Sequence, residues 1–376
     1  MNWIIPHIHV LLPLTIALIL GISWQVIDGS FWWPYSIFCS LFVTIIFFYK
    51  DTKKSQKNSI ILLAILSAFC VGAVSYYHQH KKFLNFYYAT IETPLDVVGT
   101  VADIDCTQND RYPQIITLAI HEACRKDIRV PEAKNQTIKL YLDTPVNTLV
   151  GDTLECKNIF LRKCTNNSYQ QYLIKEHIAA TVFLKSATIT VTTNPQFSLS
   201  RWLHEKRKIV VESLRIKMSD LTFSLFSTIF LGYKNSDQES RDQINNNFKI
   251  WGIVHYLARS GLHLVLFVML WKFLFNWLPI TFFIKELLMV GLVAVYLAFS
   301  WSTISFTRAL ITFLLYKLCI LLDLPINPVH ILTLACCAIL LYNPFQLLFL
   351  DFQLSFALTF ALAWFNEVTK LIKRKA

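Results

Sequence analysis

Apolar and polar positions along this chain follow two different periods, and the change of period divides it. Unbroken apolar runs occupy residues 3–24, 32–49 and 59–77, each close to the roughly 20 residues a helix needs to cross a bilayer. The first run holds His7, His9 and Pro13. It lacks the basic start and the small residues before a cut that mark a cleavable signal, so a retained helix is expected. From residue 81 to residue 193 short β-branched runs separated by polar turns take over. Residues 95–102, 114–120, 137–143 and 180–191 read as strands, with another over 153–161 after the Gly151-Asp152 turn. Five or six short strands suit a small barrel or sandwich.

Residues 200–217 then mix apolar positions at helical spacing with Lys, Arg and two Glu, the pattern of an interfacial amphipathic helix whose cations meet lipid phosphates. Residues 221–231 are apolar but short for a span, which favours a re-entrant or tilted piece, and 233–247 form a polar connector. Five spanning or nearly spanning segments close the chain at 251–271, 287–301, 303–322, 329–342 and 345–365. The expected fold class is a polytopic α-helical membrane protein with an inserted small all-β domain. Its parts are three N-terminal transmembrane helices (1–80), the β domain (81–199), amphipathic and re-entrant helices with the connector (200–250) and a transmembrane bundle (251–376).

Charge orients this arrangement. Residues 50–57 carry four lysines against one Asp, whereas the connection around Asp28 has no basic residue, which places the lysine loop in the cytoplasm. The third helix then emerges outside and the β domain is extracytoplasmic. Five further crossings return the C-terminus, with Lys370, Lys373, Arg374 and Lys375, to the cytoplasm, where the N-terminus also lies. Composition agrees: of 376 residues 55% are hydrophobic, and the mean hydropathy is +0.46. A formal charge of +11 does not by itself indicate nucleic acid, because cytoplasmic loops carry part of any Lys/Arg excess.

The nine cysteines include no C-x-x-C pair, which argues against a zinc ribbon or a thioredoxin-type site. Cys39, Cys70, Cys319, Cys336 and Cys337 fall in apolar stretches as small core residues. Cys106, Cys124, Cys156 and Cys164 fall in the β domain, where an extracytoplasmic setting permits disulfides; the favoured pairing is Cys106 with Cys124 and Cys156 with Cys164, the alternative a set of reduced thiols. The pairs His7/His9 and His78/His80 read as interfacial side chains, and no metal site or cofactor is implied.

The chemistry concentrates near residue 255. Trp251, His255, Arg259 and His263 recur every four residues and form one stripe on a helix, with Ser260 and Gly261 beside it. An arginine at mid-bilayer costs roughly 2.5 to 3.5 kcal/mol and normally faces protein or a water-filled path. His255 and His263 stand about 12 Å apart along an unbroken helix, too far for one metal ion. The stripe either lines a path or hydrogen-bonds neighbouring helices. Arg308 is a second intramembrane cation among Ser302, Thr303, Ser305, Thr307 and Thr312, and Asn343, Asp351, Gln353 and Ser355 supply further polar groups. By elimination Asp351 is the partner expected for Arg308 or Arg259. The β domain offers Arg111, Tyr112, Arg125, Lys126, Arg129, Tyr141, Arg162 and Lys163 together with Tyr169 and Tyr172, either a groove for a single strand or a solvated surface. No enzyme is indicated: there is no phosphate-cradling glycine loop, and Ser260 with His263 lacks an orienting acid.

Three stretches carry a resemblance. Residues 252–263, G-I-V-H-Y-L-A-R-S-G-L-H, resemble the signature of the ComEC family of competence proteins, membrane channels of bacterial DNA uptake. Residues 305–311, S-F-T-R-A-L-I, and 343–356, N-P-F-Q-L-L-F-L-D-F-Q-L-S-F, resemble two further elements in the family's order. Arg259 departs from the pattern, which usually has an apolar residue there. The resemblance implies that the β domain is an OB-like barrel, with residues 169–184 similar to its closing region. It also implies a path for single-stranded DNA lined by Trp251, His255, Arg259, Ser260, Gly261, His263, Arg308, Gln353 and Ser355. The partners it implies are DNA, the lipid bilayer, a cytoplasmic motor ATPase, a DNA receptor, a separately encoded nuclease and a second copy of the chain. The H-x-H-x-D-H cluster of the family's C-terminal metallo-β-lactamase-like domain does not occur, so a short form is expected. A non-transporting remnant, one part of a split channel and a transporter of another anion stand as alternatives.

Overall fold

The structure, a computed structural model, describes residues 5–28, 53–90, 93–106, 111–125, 128–161, 167–184, 189–194, 197–231, 246–251, 261–300, 304–324 and 327–375. The expected span at 32–49 lies outside the described residues. The chain forms two compact units, Met1–Lys81 with Thr307–Ala376, and Lys82–Phe306.

In the second unit, alternation builds the sheet. Ile116, Leu118 and Ile120 of β2 (Gln114–Arg125) and Ile138, Leu140 and Leu142 of β4 (Thr137–Leu142) point inward, with their sequence neighbours more exposed, as period-2 burial requires. β1 (Pro94–Cys106), β3 (Ile128–Arg129), β5 (Thr153–Phe160), β6 (Ile178–Leu184) and β7 (Ile189–Thr192) complete the domain. The order is β6-β4-β2-β1-β5-β7, with β3 added to β2. All pairs are antiparallel except β4 with β6.

Two expectations need correction here. The run 180–191, read as one strand, is two: β6 pairs with β4 and β7 with β5, at opposite ends of the sheet. The polar step Lys185-Ser186 between them was the available sign. Because β6 and β7 end the order, the sheet does not close among the described residues, and α3 (Asn167–Lys175) interrupts the strands. Among the described residues the domain is a mixed sheet that includes a helix, and the OB-like barrel expected for it is not seen closed.

The register also decides one cysteine pair. Cys106 lies opposite Gln114 and Cys124 opposite Asp96. The two cysteines therefore stand ten residues apart along the ladder, roughly 30 Å, beyond the roughly 7 Å limit for a disulfide. Cys124 and Cys156 are free thiols, and Cys164 lies outside the described residues.

The helix that leads into this domain is longer than its apolar run. α2 (Lys53–Thr90) has 38 residues, about 57 Å at about 1.5 Å per residue, and brings Phe86 into the sheet's core. After the sheet come α4 (Leu199–Lys217) and α5 (Asp220–Phe226), which runs into a π turn at Ser227–Leu231. Val211, Phe223 and Leu231 pack together there, joined by Leu214, Met218 and Phe226. α6 (Gly261–Asn276) and α7 (Phe282–Phe299) follow.

The first unit holds α1 (Ile5–Asp28), most of α2, most of α8 (Ile304–Leu321), α9 (Pro328–Tyr342) and α10 (Leu350–Lys375). α1 and α2 approach so closely that a Cβ on Gly21 would lie 2.0 Å from the Phe69 carbonyl oxygen, and one on Gly72 2.4 Å from that of Leu18. Small residues at such a crossing let two helix backbones meet. Thr15 of α1 hydrogen-bonds Cys337 of α9 at 3.1 Å. Pro344 breaks the segment expected as one span at 345–365: a 3-10 turn at Pro344–Leu348 precedes α10.

Among the described residues one helix, α7, is both long and apolar enough to cross a membrane, while Leu12–Val26, Asp220–Leu231, His263–Asn276 and Pro328–Tyr342 are shorter apolar helices. The described helices by themselves do not establish the eight crossings expected from the sequence, of which 32–49 and part of 251–271 lie outside the described residues.

Candidate functional site

The stripe expected on one helix is only partly within the described residues. His255, Arg259 and Ser260 lie outside them. Trp251 ends a helical segment, exposed, with its N–H bonded to the Asn247 carbonyl at 3.1 Å. Gly261 opens α6, and His263 lies in its first turn.

An aromatic group forms around His263. Its ring meets Phe230 edge-on at 5.9 Å, and the Tyr296 hydroxyl of α7 donates to the Phe230 carbonyl at 2.9 Å. Tyr296 also stacks on Phe267 at 4.6 Å and meets Phe306 at 5.5 Å. Phe230 lies in the π turn, where one extra residue displaces the carbonyl register and leaves acceptors for a side chain. The group combines the His263 imidazole, the Tyr296 phenol bonded to the Phe230 carbonyl, and the rings of Phe230, Phe267 and Phe306.

Arg308 belongs to the other unit and is built differently. It is only 7% exposed, and its Nη1 donates to the carbonyl oxygens of Asp351 at 3.3 Å and Phe352 at 3.4 Å. The guanidinium also stands 5.4 Å over the Phe356 ring. Sequence elimination pointed to Asp351, and the structure does bring the two residues together, with these hydrogen bonds reaching the main chain. The Asp351 carboxylate accepts from the Phe352 N–H at 2.9 Å.

The surrounding motif works as a bracket. Asn343 accepts from the Phe345 N–H at 3.2 Å and so caps the 3-10 turn opened by Pro344. Gln353 reaches back to donate to the Leu347 carbonyl at 2.7 Å. The Ser355 carbonyl accepts from the Thr359 hydroxyl at 2.5 Å. Phe345, fully buried, meets Tyr76 at 4.8 Å and His80 at 6.2 Å, so His80 sits in an aromatic cluster.

In the β domain the structure divides the basic candidates. Arg111 lies over Tyr112 at 5.6 Å, and Tyr112, Tyr141 and Phe183 form one group with ring centroids 4.9 to 6.2 Å apart. Tyr169 and Tyr172 stack at 6.2 Å on α3. Burial, then Glu176 and Tyr141, push the Tyr172 phenol up from its ordinary value. Arg125 and Arg129 stand at the opposite end of β2, roughly 35 Å away along a strand of this length, where Arg129 pairs with Glu122 at 2.5 Å. One groove therefore does not collect all of them. Lys126, Arg162 and Lys163 lie outside the described residues.

Sequence reasoning missed two features. Phe183 joins the aromatic group because β4 and β6 run parallel with Tyr141 opposite Phe183, a pairing that no local pattern announces. Arg201 was read as a lipid-facing cation but grips the β domain: it donates to the carbonyls of Val150 at 2.8 Å and Asn194 at 2.7 Å and pairs with the buried Asp152 carboxylate. Asp152 also accepts from the N–H groups of Leu149 at 2.8 Å and Asn194 at 3.2 Å, next to Gly151, whose φ of +91° suits glycine. The Gly151-Asp152 turn was the one available signal.

Residues 230–375 match the family model described as Competence protein. ComE operon protein 3 of Bacillus subtilis (strain 168) is 24% identical over 282 residues, a stretch that covers 74% of this chain and 34% of that relative. The chain thus matches a minor part of its curated relative's length. No solved structure matches.

Proposed function

We propose, from the premise that residues 230–375 are a competence-protein domain of the ComEC kind, that this chain acts in DNA uptake as a multi-pass channel component of the cytoplasmic membrane. The match over those residues is the observation that carries the reading. A strand would first meet the β domain, which we read as a partly open OB-like sheet on the extracytoplasmic side. There Tyr112, Tyr141 and Phe183 offer faces on which bases stack, with Arg111 beside them for phosphate. Such stacking contributes about 1 to 3 kcal/mol per base and tolerates any sequence. The strand would then pass the group at His263, Phe230 and Tyr296. The chain acts here as a conduit without chemistry of its own, and transport energy, strand degradation and first capture fall to a motor ATPase, a nuclease and a DNA receptor.

A second reading has an observation of its own. Arg308 is buried and bonded into the main chain of α10, which suits a polar group that joins helices rather than one that lines a path. If His263 is held in the same way, the chain is a non-transporting remnant. Internalisation of labelled DNA by the native host separates the two. With His263→Ala at wild-type protein level, a channel loses most uptake, whereas a remnant leaves uptake unchanged even when the gene is deleted.

A further inference from the structure

Helix α4 has two faces, and the site described above uses neither. One face is spent inside the protein. Arg201 grips the Asp152 turn, His204 Nδ1 stands 3.7 Å from an Asp103 carboxylate oxygen, Arg207 Nε donates to the Ala298 carbonyl at 2.5 Å, and Val211 and Leu214 pack against α5. At 3.6 residues per turn these five positions fall on one side of the helix. Leu199, Trp202, Ile209 and Ile216 fall on the other, about 180° around the axis.

That outer stripe is exposed along its whole length, Trp202 at 40% and Ile216 at 86%, and the lysines Lys206 and Lys217 on the same side are exposed too. A water-facing helix would carry its large apolar residues on the docked side. Here Val211 and Leu214 are docked together with the cations that meet acidic and carbonyl partners, and four further large apolar residues, Leu199, Trp202, Ile209 and Ile216, still face out.

Arg207 supplies a position. Ala298 lies in the last turn of α7, the helix long and apolar enough to cross a membrane. The end of such a helix stands at headgroup level, so α4 is hydrogen-bonded to the protein at that level. An apolar stripe containing tryptophan and flanked by lysines is what a helix lying in that boundary presents to anionic lipid.

We propose that α4 is a lipid-binding element: Leu199, Trp202, Ile209 and Ile216 enter the acyl boundary of an anionic phospholipid leaflet, with Lys206 and Lys217 against the lipid phosphates. The inward face simultaneously holds the β domain through Asp152 and Asp103. The inference needs the chain to be membrane-bound but is independent of whether DNA passes through it.

The test uses the full chain in vesicles of mixed phosphatidylglycerol and phosphatidylcholine, with a photoreactive diazirine analogue of leucine at position 216. After illumination, mass spectrometry identifies the adducts. The expected result is lipid adducts enriched in phosphatidylglycerol over the bulk ratio, on the order of fivefold, the size expected from a lysine near an anionic surface. The exposed double variant Lys206→Gln with Lys217→Gln should keep lipid adducts and return them to the bulk ratio. Adducts to protein only, no lipid adducts, or lipid adducts already at the bulk ratio in the unaltered helix would each overturn the proposal. DNA uptake by native-host cells that carry the same variants reports separately on the conduit.

Discussion

The β domain and the helical unit formed by Met1–Lys81 with Thr307–Ala376 both bury apolar side chains, but the helical unit also turns a row of them outward. The sheet places Ile116, Leu118, Ile138 and Leu140 inside, each wholly buried. The helical unit places Leu354, Leu358, Leu362 and Phe365 of α10 outside. Beside apolar residues such as Ile22, Leu340, Phe345 and Phe352, it also buries Arg308, Thr15, Thr333 and Asn343, with Gly21 and Gly72 at the tightest crossing. The sheet is assembled by removing apolar surface from water. The helical unit adds close backbone approach at small residues, hydrogen bonds and a buried cation to its apolar contacts, while leaving an apolar face of α10 outside.

The largest effect should come from the crossing. In Gly21→Leu the new side chain meets the α2 backbone, which cannot give way, and folded protein should fall by about tenfold or more on an immunoblot of membranes. Leu20→Ala, one position away on the exposed side, should leave the level unchanged. If Gly21→Leu accumulates normally, the account of that crossing fails.

Next is the clamp between sheet and α4. Asp152→Ala leaves Arg201 without its buried carboxylate, which costs about 3 to 5 kcal/mol when one partner of a buried pair is removed. Limited proteolysis should cut the β domain at a lower temperature, and a result within error of wild type would show the clamp to be dispensable.

The comparison itself is tested by one substitution made twice. Leu140→Ala in the sheet should cost about 2 to 5 kcal/mol, whereas Leu358→Ala on the outer face of α10 should cost less than about 0.5 kcal/mol. Equal costs in a thermal unfolding series would remove the contrast.

The smallest effect is a pH dependence. Burial, with Glu155 alongside, pushes the Cys156 thiol from 9.0 up to about 12. Folding therefore favours the neutral thiol. That contribution is fully present below pH 9 and falls away as the pH rises toward 12. At pH 8.5 iodoacetamide should modify Cys124 well before Cys156, and simultaneous modification would contradict the burial of Cys156.

Much of this was legible in the sequence, and the exceptions have physical reasons. Period-2 burial identified β1, β2, β4 and β5 because one face of each lies against a core. The same rule merged β6 with β7, because alternation continues through a run whether or not the chain has crossed to another edge. The cations of α4 were legible as an amphipathic pattern, yet a guanidinium has the same spacing whether it meets a phosphate or Asp152. Pro344 signalled a break, but the return of Gln353 to the Leu347 carbonyl depends on the turn that follows. Arg308 lies at Asp351, but its hydrogen bonds there go to the carbonyl oxygens of Asp351 and Phe352, which no composition reveals. Of the stripe of four, only Trp251 and His263 fall within the described residues.

The central claim is that a DNA strand passes along this chain, and crosslinking of DNA in transit tests it most directly. Competent cells of the native host would be given DNA containing 4-thiothymidine, illuminated during uptake, and the chain isolated for mapping of nucleotide adducts. The account predicts adducts first at Tyr112, Tyr141 or Phe183 and then near Phe230, His263 and Tyr296, with the second group lost when uptake is blocked. DNA that reaches the cytoplasm while leaving no adduct anywhere on this chain would contradict it.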